Sequence, residues 1–180
     1  MLRELVRDAV ELARASSNGE VSGASLFRAV THDSYAVLGM TRVREVARKF
    51  HILGLNRALR VTMTAVYGIE IGKNVTMGNG VFFAHPLGIV IGGNARIGDR
   101  VRFMGSNTVG TAKENGSPVI EDDVTVGCGA RILGPIRIGR GAVIGANAVV
   151  LQDVPAGAVA TGIPATIRFP ERREAPATAD

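Results

Sequence analysis

The stretch from Val124 to Val150 reads VTVGCGARILGPIRIGRGAVIGANAVV. An aliphatic residue returns at every sixth position, at Val126, Ile132, Ile138, Ile144 and Val150. A second small or aliphatic residue stands two positions ahead of each, at Val124, Ala130, Ile136, Ala142 and Ala148. Residues two apart on a strand face the same way. Each hexad therefore reads as a very short strand with two inward side chains, followed by a Gly-rich corner. Six residues cannot bury their own apolar face, so only successive turns stacked on one another make a core. That is the logic of a hexapeptide β-helix.

The same beat extends back through Ile120, Val109, Phe103, Ile97, Ile91, Phe83 and Met77 to Ile71, with inner partners at Val101, Ala95, Ile89, Val81 and Val75. It is interrupted twice. Phe83 to Ile91 takes eight residues where six are expected, the excess falling in Ala84-His85-Pro86-Leu87-Gly88. Val109 to Ile120 takes eleven, the excess being the polar stretch Thr111 to Pro118. A regular solenoid offers few concavities, so function is expected at these irregularities.

Before the beat begins, the spacing predicts helices. Leu2, Leu5, Val6, Val10 and Leu12 share a helical face that stops at Ser16–Gly19. A second helix is expected over about 25–31. A third, opened by Thr41, places Val43, Val46, Ala47 and Phe50 on one face before Gly54 interrupts it, and a fourth runs over 56–66. The domain expectation is a helical unit over 1–66, which caps the open first coil or dimerises. A β-helix follows over 67–168, and then a polar tail over 169–180 that is expected to be disordered.

Composition agrees. With 180 residues, 46% hydrophobic, 4% aromatic and no Trp, the chain can build one substantial core and a small appended unit. No apolar run is long enough to cross a bilayer and no signal-like leader opens the chain, so a soluble, cytoplasmic protein with no membrane contact is expected. A single cysteine, Cys128, cannot form an internal disulfide. A net charge of +5 scattered without basic runs or interleaved aromatics suits an anionic ligand and argues against nucleic acid.

His85 stands in the first break, among apolar residues. A histidine near its ordinary pKa accepts protons at neutral pH and is the side chain expected for a general base. A carboxylate on the other ring nitrogen would improve it, and Glu70 lies fifteen residues earlier, close to one turn away. His32 and His51 read as structural or surface residues.

At this point the residues carry a family resemblance. Gly68-Ile69-Glu70-Ile71, Ala84 to Gly92, Ala130 to Gly134 and Ile144 to Leu151 resemble the serine O-acetyltransferases, members of the hexapeptide-repeat acyltransferases. The resemblance covers about 69–167, and both breaks fall where that family has them. It implies a left-handed parallel β-helix, a mainly β fold, behind the short helical N-terminal domain. It also implies homotrimers, sometimes paired as dimers of trimers, with acetyl-CoA as co-substrate in a groove between neighbouring coils and no metal.

Residue by residue, the resemblance implies His85 as the catalytic base and Glu70 as the acid that orients it. The acetyl group would pass directly to a hydroxyl of a small-molecule acceptor, without a covalent enzyme intermediate. Cys128 and Ala146 match positions whose main chain contacts the CoA arm. The Cys128 side chain itself reads as a small corner residue rather than a nucleophile. Thr111 and Lys113 resemble the loop near the thioester and pantetheine, and Lys113 reads equally as a solvated loop charge.

The substrate half departs from the pattern. The family carries an Asp before the catalytic His and an Arg-His pair in the long loop, which hold the ionic ends of serine. Here those positions are Ala84, and Gly116 with Ser117. An unpaired charge in a closed site is costly, so an acceptor other than free serine is expected. Two alternatives stand beside this reading. One is a divergent serine acetyltransferase of cysteine synthesis; the sulfhydrylase partner of that family grips a C-terminal Ile, whereas this sequence closes on Ala177-Thr178-Ala179-Asp180. The other is a non-catalytic repeat protein, including the zinc-binding γ-class carbonic anhydrase type, for which a single coil histidine is too few.

Overall fold

The computed structural model describes residues 1–17, 19–112 and 116–170. Four helices, α1 (Leu2–Ser16), α2 (Gly23–Thr31), α3 (Asp33–Lys49) and α4 (Leu53–Tyr67), precede a column of two- and three-residue strands. The first turn is β1 (Glu70–Ile71), β2 (Thr76–Met77) and β3 (Phe82–Phe83), and the second is β4 (Val90–Ile91), β5 (Arg96–Ile97) and β6 (Arg102–Phe103). The third is β7 (Thr108–Gly110), β8 (Val119–Ile120) and β9 (Thr125–Val126), and the fourth is β10 (Arg131–Leu133), β11 (Arg137–Ile138) and β12 (Val143–Ile144). A fifth begins with β13 (Val149–Val150), a bridge from Val154 to Ile138, and β14 (Val159–Thr161), before β15 (Thr166–Arg168).

Equivalent strands of successive turns pair in parallel and make three sheets, β1-β4-β7-β10-β13, β2-β5-β8-β11 and β3-β6-β9-β12-β14. Glu70 lies opposite Val90, which lies opposite Thr108, and Thr125 lies opposite Val143 eighteen residues on. Every residue of the sixfold beat, from Ile71 to Val150, is buried, as is each inner aliphatic partner named above. The fold is thus the expected parallel β-helix behind a helical N-terminal segment. Phe83 and Phe103 stack at 5.7 Å on consecutive turns at the centre of the core.

A solenoid has open ends, and hydrogen bonding shows how this chain closes the first. N–H groups of each turn donate to carbonyls of the next, as from Glu70 to Ile89 (2.9 Å) and from Thr76 to Ala95 (3.1 Å). First-turn carbonyls that face away from the second turn have no strand to pair with, an edge that unprotected would recruit another chain. Side chains from the helices supply the donors. Arg44 Nη1 reaches Ile71 O (3.0 Å), Arg42 Nη1 and Nη2 reach Met77 O and Gly78 O (both 2.7 Å), and Ser34 Oγ reaches Phe83 O (3.2 Å). Asp8 receives the Gly80 N–H (2.8 Å) and pairs with Arg42. At the far end β15 turns back antiparallel on β14.

The helices differ from expectation in their bounds. α3 starts at Asp33 rather than Thr41, because His32 accepts the Ser34 N–H on Nδ1 (3.1 Å) and caps it. Gly54 lies inside α4; the break comes instead at Phe50–Ile52, where His51 takes a φ of 58°. Phe50 is exposed, and the buried face of α3 carries Arg42 and Arg44 beside Val37 and Leu38.

Candidate active site

The three sheets meet at three columns of corners, and the residues expected to act are divided between two of them. One column joins β3 to β4, β6 to β7, β9 to β10 and β12 to β13. It carries Ala84-His85, Gly105-Ser106, Cys128-Gly129 and Ala146-Asn147 in successive turns. Main-chain bonds hold the stack, from Ala84 N–H to Phe103 O (2.9 Å), Ser106 N–H to Leu87 O (3.1 Å), Gly129 N–H to Gly105 O (2.9 Å) and Asn147 N–H to Cys128 O (2.8 Å).

His85 is exposed on this column, and among the described residues its ring makes no hydrogen bond. It lies against Gly105: a Cβ built there would stand 3.0 Å from His85 O, 3.1 Å from His85 Cβ and 3.9 Å from Cys128 Sγ. His85, Gly105 and Cys128 thus form a continuous edge, and Cys128 is exposed and unpaired. Close packing continues below, where a Cβ on Gly127 would meet Ala146 N at 2.6 Å. Ala146 is exposed one turn beyond Cys128. On this edge His85, Cys128 and Ala146 are exposed, whereas Gly105 between them is buried.

The expected bond between Glu70 and His85 is not made. Glu70 is half exposed on β1 and its Oε1 lies 3.6 Å from Arg60 Nη1 of α4. The fifteen-residue spacing does put the two residues at neighbouring levels of the coil, but the nearest cation to the carboxylate is the helix arginine and its charge draws the side chain that way.

Thr111 and Ser117 stand on the other column, between the first and second sheets. Built on Gly93, a Cβ would meet Thr111 Cγ2 at 3.5 Å, and the Ser117 side chain is closer still. Ser117 Oγ accepts the Asn94 N–H (2.9 Å) and so closes this corner. In a single chain β7 separates Thr111 and Ser117 from the His85 column, so one coil does not bring the two groups together. Lys113 lies outside the described residues, as do residues 171–180 of the tail. Ala84 is half-buried and offers no polar group.

Charge gathers on the third column. Arg100 Nε and Nη2 hold both oxygens of Asp123 (2.6 and 2.9 Å), and that hydrogen bonding, against a smaller desolvation penalty, keeps the Asp123 carboxyl below its usual range. Glu121 is lowered likewise, by Arg137 and by the Arg140 N–H. Near the His85 column the Arg131 guanidinium donates to Ser106 O. Among the described residues no three His, Cys, Asp or Glu side chains gather as a metal site, and no helix is long and apolar enough to cross a membrane.

Sequence reasoning missed Asn107 and Gly105 beside His85. Asn107 was visible as the inner position, two ahead of Val109, where the aliphatic pattern lapses.

Comparison with known proteins agrees with the repeat. Residues 117–152 match the family model of the bacterial transferase hexapeptide (six repeats), and residues 53–83 match that of the hexapeptide repeat of succinyl-transferase. A serine acetyltransferase from Bacillus licheniformis is 37% identical over 141 residues, 77% of this chain. The match spans 65% of that relative, so the chain covers somewhat less than two thirds of its length. Soybean serine acetyltransferase complexed with serine superposes with a TM-score of 0.80 at 32% identity, over 92% of this chain and 70% of that one. A serine acetyltransferase in complex with CoA superposes with a TM-score of 0.79 at 26% identity, again over 92% and 70%. Turn-by-turn pairing, both interruptions of the beat and the coverage of the soybean structure lead to one assignment: the chain belongs to the serine acetyltransferase family of hexapeptide-repeat proteins.

Proposed function

We propose that the protein is an acetyl-CoA-dependent O-acetyltransferase in which His85 is the general base. The observation that carries the reading is the stacked edge His85–Gly105–Cys128–Ala146, on which His85, a proton acceptor, is exposed in line with the exposed residues Cys128 and Ala146. A relative of the same fold takes CoA. The acceptor hydroxyl gives its proton to the His85 ring as its oxygen attacks the thioester carbonyl. A C–O bond forms, the C–S bond breaks, and the proton passes from His85 to the departing thiolate. Main-chain groups at Cys128 and Ala146 would bind the CoA arm, with Thr111 and Lys113 near the thioester. No metal is required.

Glu70 is assigned to orient His85. Its pairing with Arg60 is half exposed on both sides, and at 3.6 Å it is longer than a hydrogen bond. Such a surface pair contributes at most about 1 kcal/mol, so a modest gain suffices to redirect the carboxylate. The enzyme is proposed to work as a homotrimer in the cytoplasm. Thr111 and Ser117 sit across β7 from His85, and a neighbouring coil would bring one chain's loop to another chain's base. The exposed apolar side chains Leu87, Val90 and Val143 on the coil suit such contacts.

The acceptor is proposed to be a small alcohol other than free serine. Ala84 supplies no charge, and the Ser117 hydroxyl is committed to Asn94. Serine is the second reading, favoured by a relative solved with serine bound. A thiol-release assay with acetyl-CoA and separate panels of serine analogues, sugars and sugar nucleotides decides between them. Turnover of another alcohol with serine inert supports the first; rapid turnover of serine supports the second; silence from every panel, with CoA failing to bind, removes both.

A further inference from the structure

One inward position of the coil is polar. Among the described residues, the buried polar and charged side chains are Asp8, Ser25, Ser34, Thr41, Arg42 and Arg44 on the helices, and Asn107 alone in the coil. Asn107 occupies the inner position that carries Val101 one strand earlier and Ala130 one turn later, and it is fully buried. An aliphatic residue would fill this place without needing partners, whereas a buried amide left unpaired is unfavourable by roughly 1–3 kcal/mol. Both ends of this amide are paired. Oδ1 accepts the Gly105 N–H (3.0 Å) and Nδ2 donates to Gly127 O (2.7 Å).

These two bonds take the place of a main-chain bond that the neighbouring corners make. Those corners close with Ile89 N–H to Pro86 O, Ala130 N–H to Gly127 O and Ala148 N–H to Gly145 O, each 3.2 Å. Among the described residues no equivalent bond closes the corner at Gly105. Gly105 there takes a φ of 129°, in the region that favours glycine, and Ser106 follows at 51°. That corner is the one packed against His85, where a Cβ on Gly105 would stand 3.0 Å from His85 O and 3.1 Å from His85 Cβ.

We propose that Asn107 is a positioning residue for His85. By fixing Gly105 from one side and the Gly127 carbonyl from the other, its amide sets the surface on which the His85 backbone and Cβ rest. An aliphatic side chain would keep the core filled but leave the Gly105 N–H without a partner and the corner free to shift. A base displaced by a fraction of an ångström loses rate rather than cosubstrate affinity. The inference rests on the reading of His85 as the base.

The test is steady-state kinetics on Asn107→Val, Gly105→Ala and His85→Ala, each alone and the first two also combined with His85→Ala, with trimer content and melting temperature recorded for each protein. Gly105→Ala keeps the buried amide and disturbs the same contact from outside, so it serves if Asn107→Val does not fold. The expected result is a kcat about tenfold lower for either variant, an acetyl-CoA KM within about twofold, and no further loss on top of His85→Ala. Unchanged kcat per folded trimer, or losses that multiply with that of His85→Ala, would overturn the proposal. A fully active His85→Ala protein would overturn the proposed base itself, an outcome that this arm reads separately.

Discussion

Arg42 and Asp8 form a buried ion pair, Nε 3.2 Å from Oδ2, and both residues go on to hydrogen-bond the first turn of the coil. The pair does more than neutralise two charges, because Arg42 also serves the carbonyls of Met77 and Gly78, which no preceding turn can reach.

Removing one partner of this pair should therefore be severe. Arg42→Met is expected to destabilise by about 3–5 kcal/mol, since it leaves a buried carboxylate without its counter-charge, held only by the Gly80 N–H, and two carbonyls without donors. For a chain of this size that is a fall of about 10 °C or more in Tm, measurable by calorimetry. The double variant Asp8→Leu/Arg42→Met should recover only part of it, because the carbonyls stay unpaired. Full recovery would mean that the ion pair alone explains Arg42.

Gly127 is required where turns three and four approach each other. Gly127→Ala would place a Cβ 2.6 Å from Ala146 N and 2.8 Å from Ile144 O, main-chain atoms that cannot rotate away. A loss of about 1–3 kcal/mol is expected, together with weaker CoA binding as the Cys128–Ala146 edge opens. Thermal melts and CoA titration check both.

Ser117→Ala removes the acceptor of the Asn94 N–H, a change expected to lower stability by about 1 kcal/mol. Because that hydroxyl is already engaged, the acceptor KM should move by no more than about twofold. A tenfold rise in KM would return Ser117 to the acceptor site.

Acid should loosen the column that carries Arg100 and Asp123. The Asp123 carboxyl titrates below its ordinary 3.8 when folded, so its contribution is fully present above that value and is lost as pH falls through the folded pKa. Both partners are about two-fifths exposed, so the contribution is less than about 1 kcal/mol and shrinks in high salt. Asp123→Asn should flatten the fall in stability as pH drops below the ordinary 3.8, as followed by urea unfolding. A slope unchanged from the parent would show that the pair adds nothing.

Much of the fold was legible because a solenoid repeats its signal: one inward residue at Ile132 is weak evidence, but an apolar residue recurring on a six-residue beat from Ile71 to Val150, with only two interruptions, leaves few other packings. The helices were less so. The apolar face expected for the third helix, Val43, Val46, Ala47 and Phe50, does not include Arg42 and Arg44, and only the unpaired carbonyls of a coil distant in sequence explain their burial. His32 as a cap for α3 was hidden because a histidine seldom plays that part. At the candidate site, spacing placed Glu70 near the level of His85 but could not say which way its side chain points, and Arg60, ten residues earlier, captures it. Asn107 was legible only as a gap in the pattern, and its meaning appeared once Gly105 was seen against His85.

The most direct test of the account is the turnover of His85→Ala beside that of Glu70→Gln, with CoA affinity and trimer content measured on the same proteins. His85→Ala should lose a factor on the order of a hundred or more in kcat with CoA binding intact, and Glu70→Gln should lose less. An unchanged rate for His85→Ala would contradict the account.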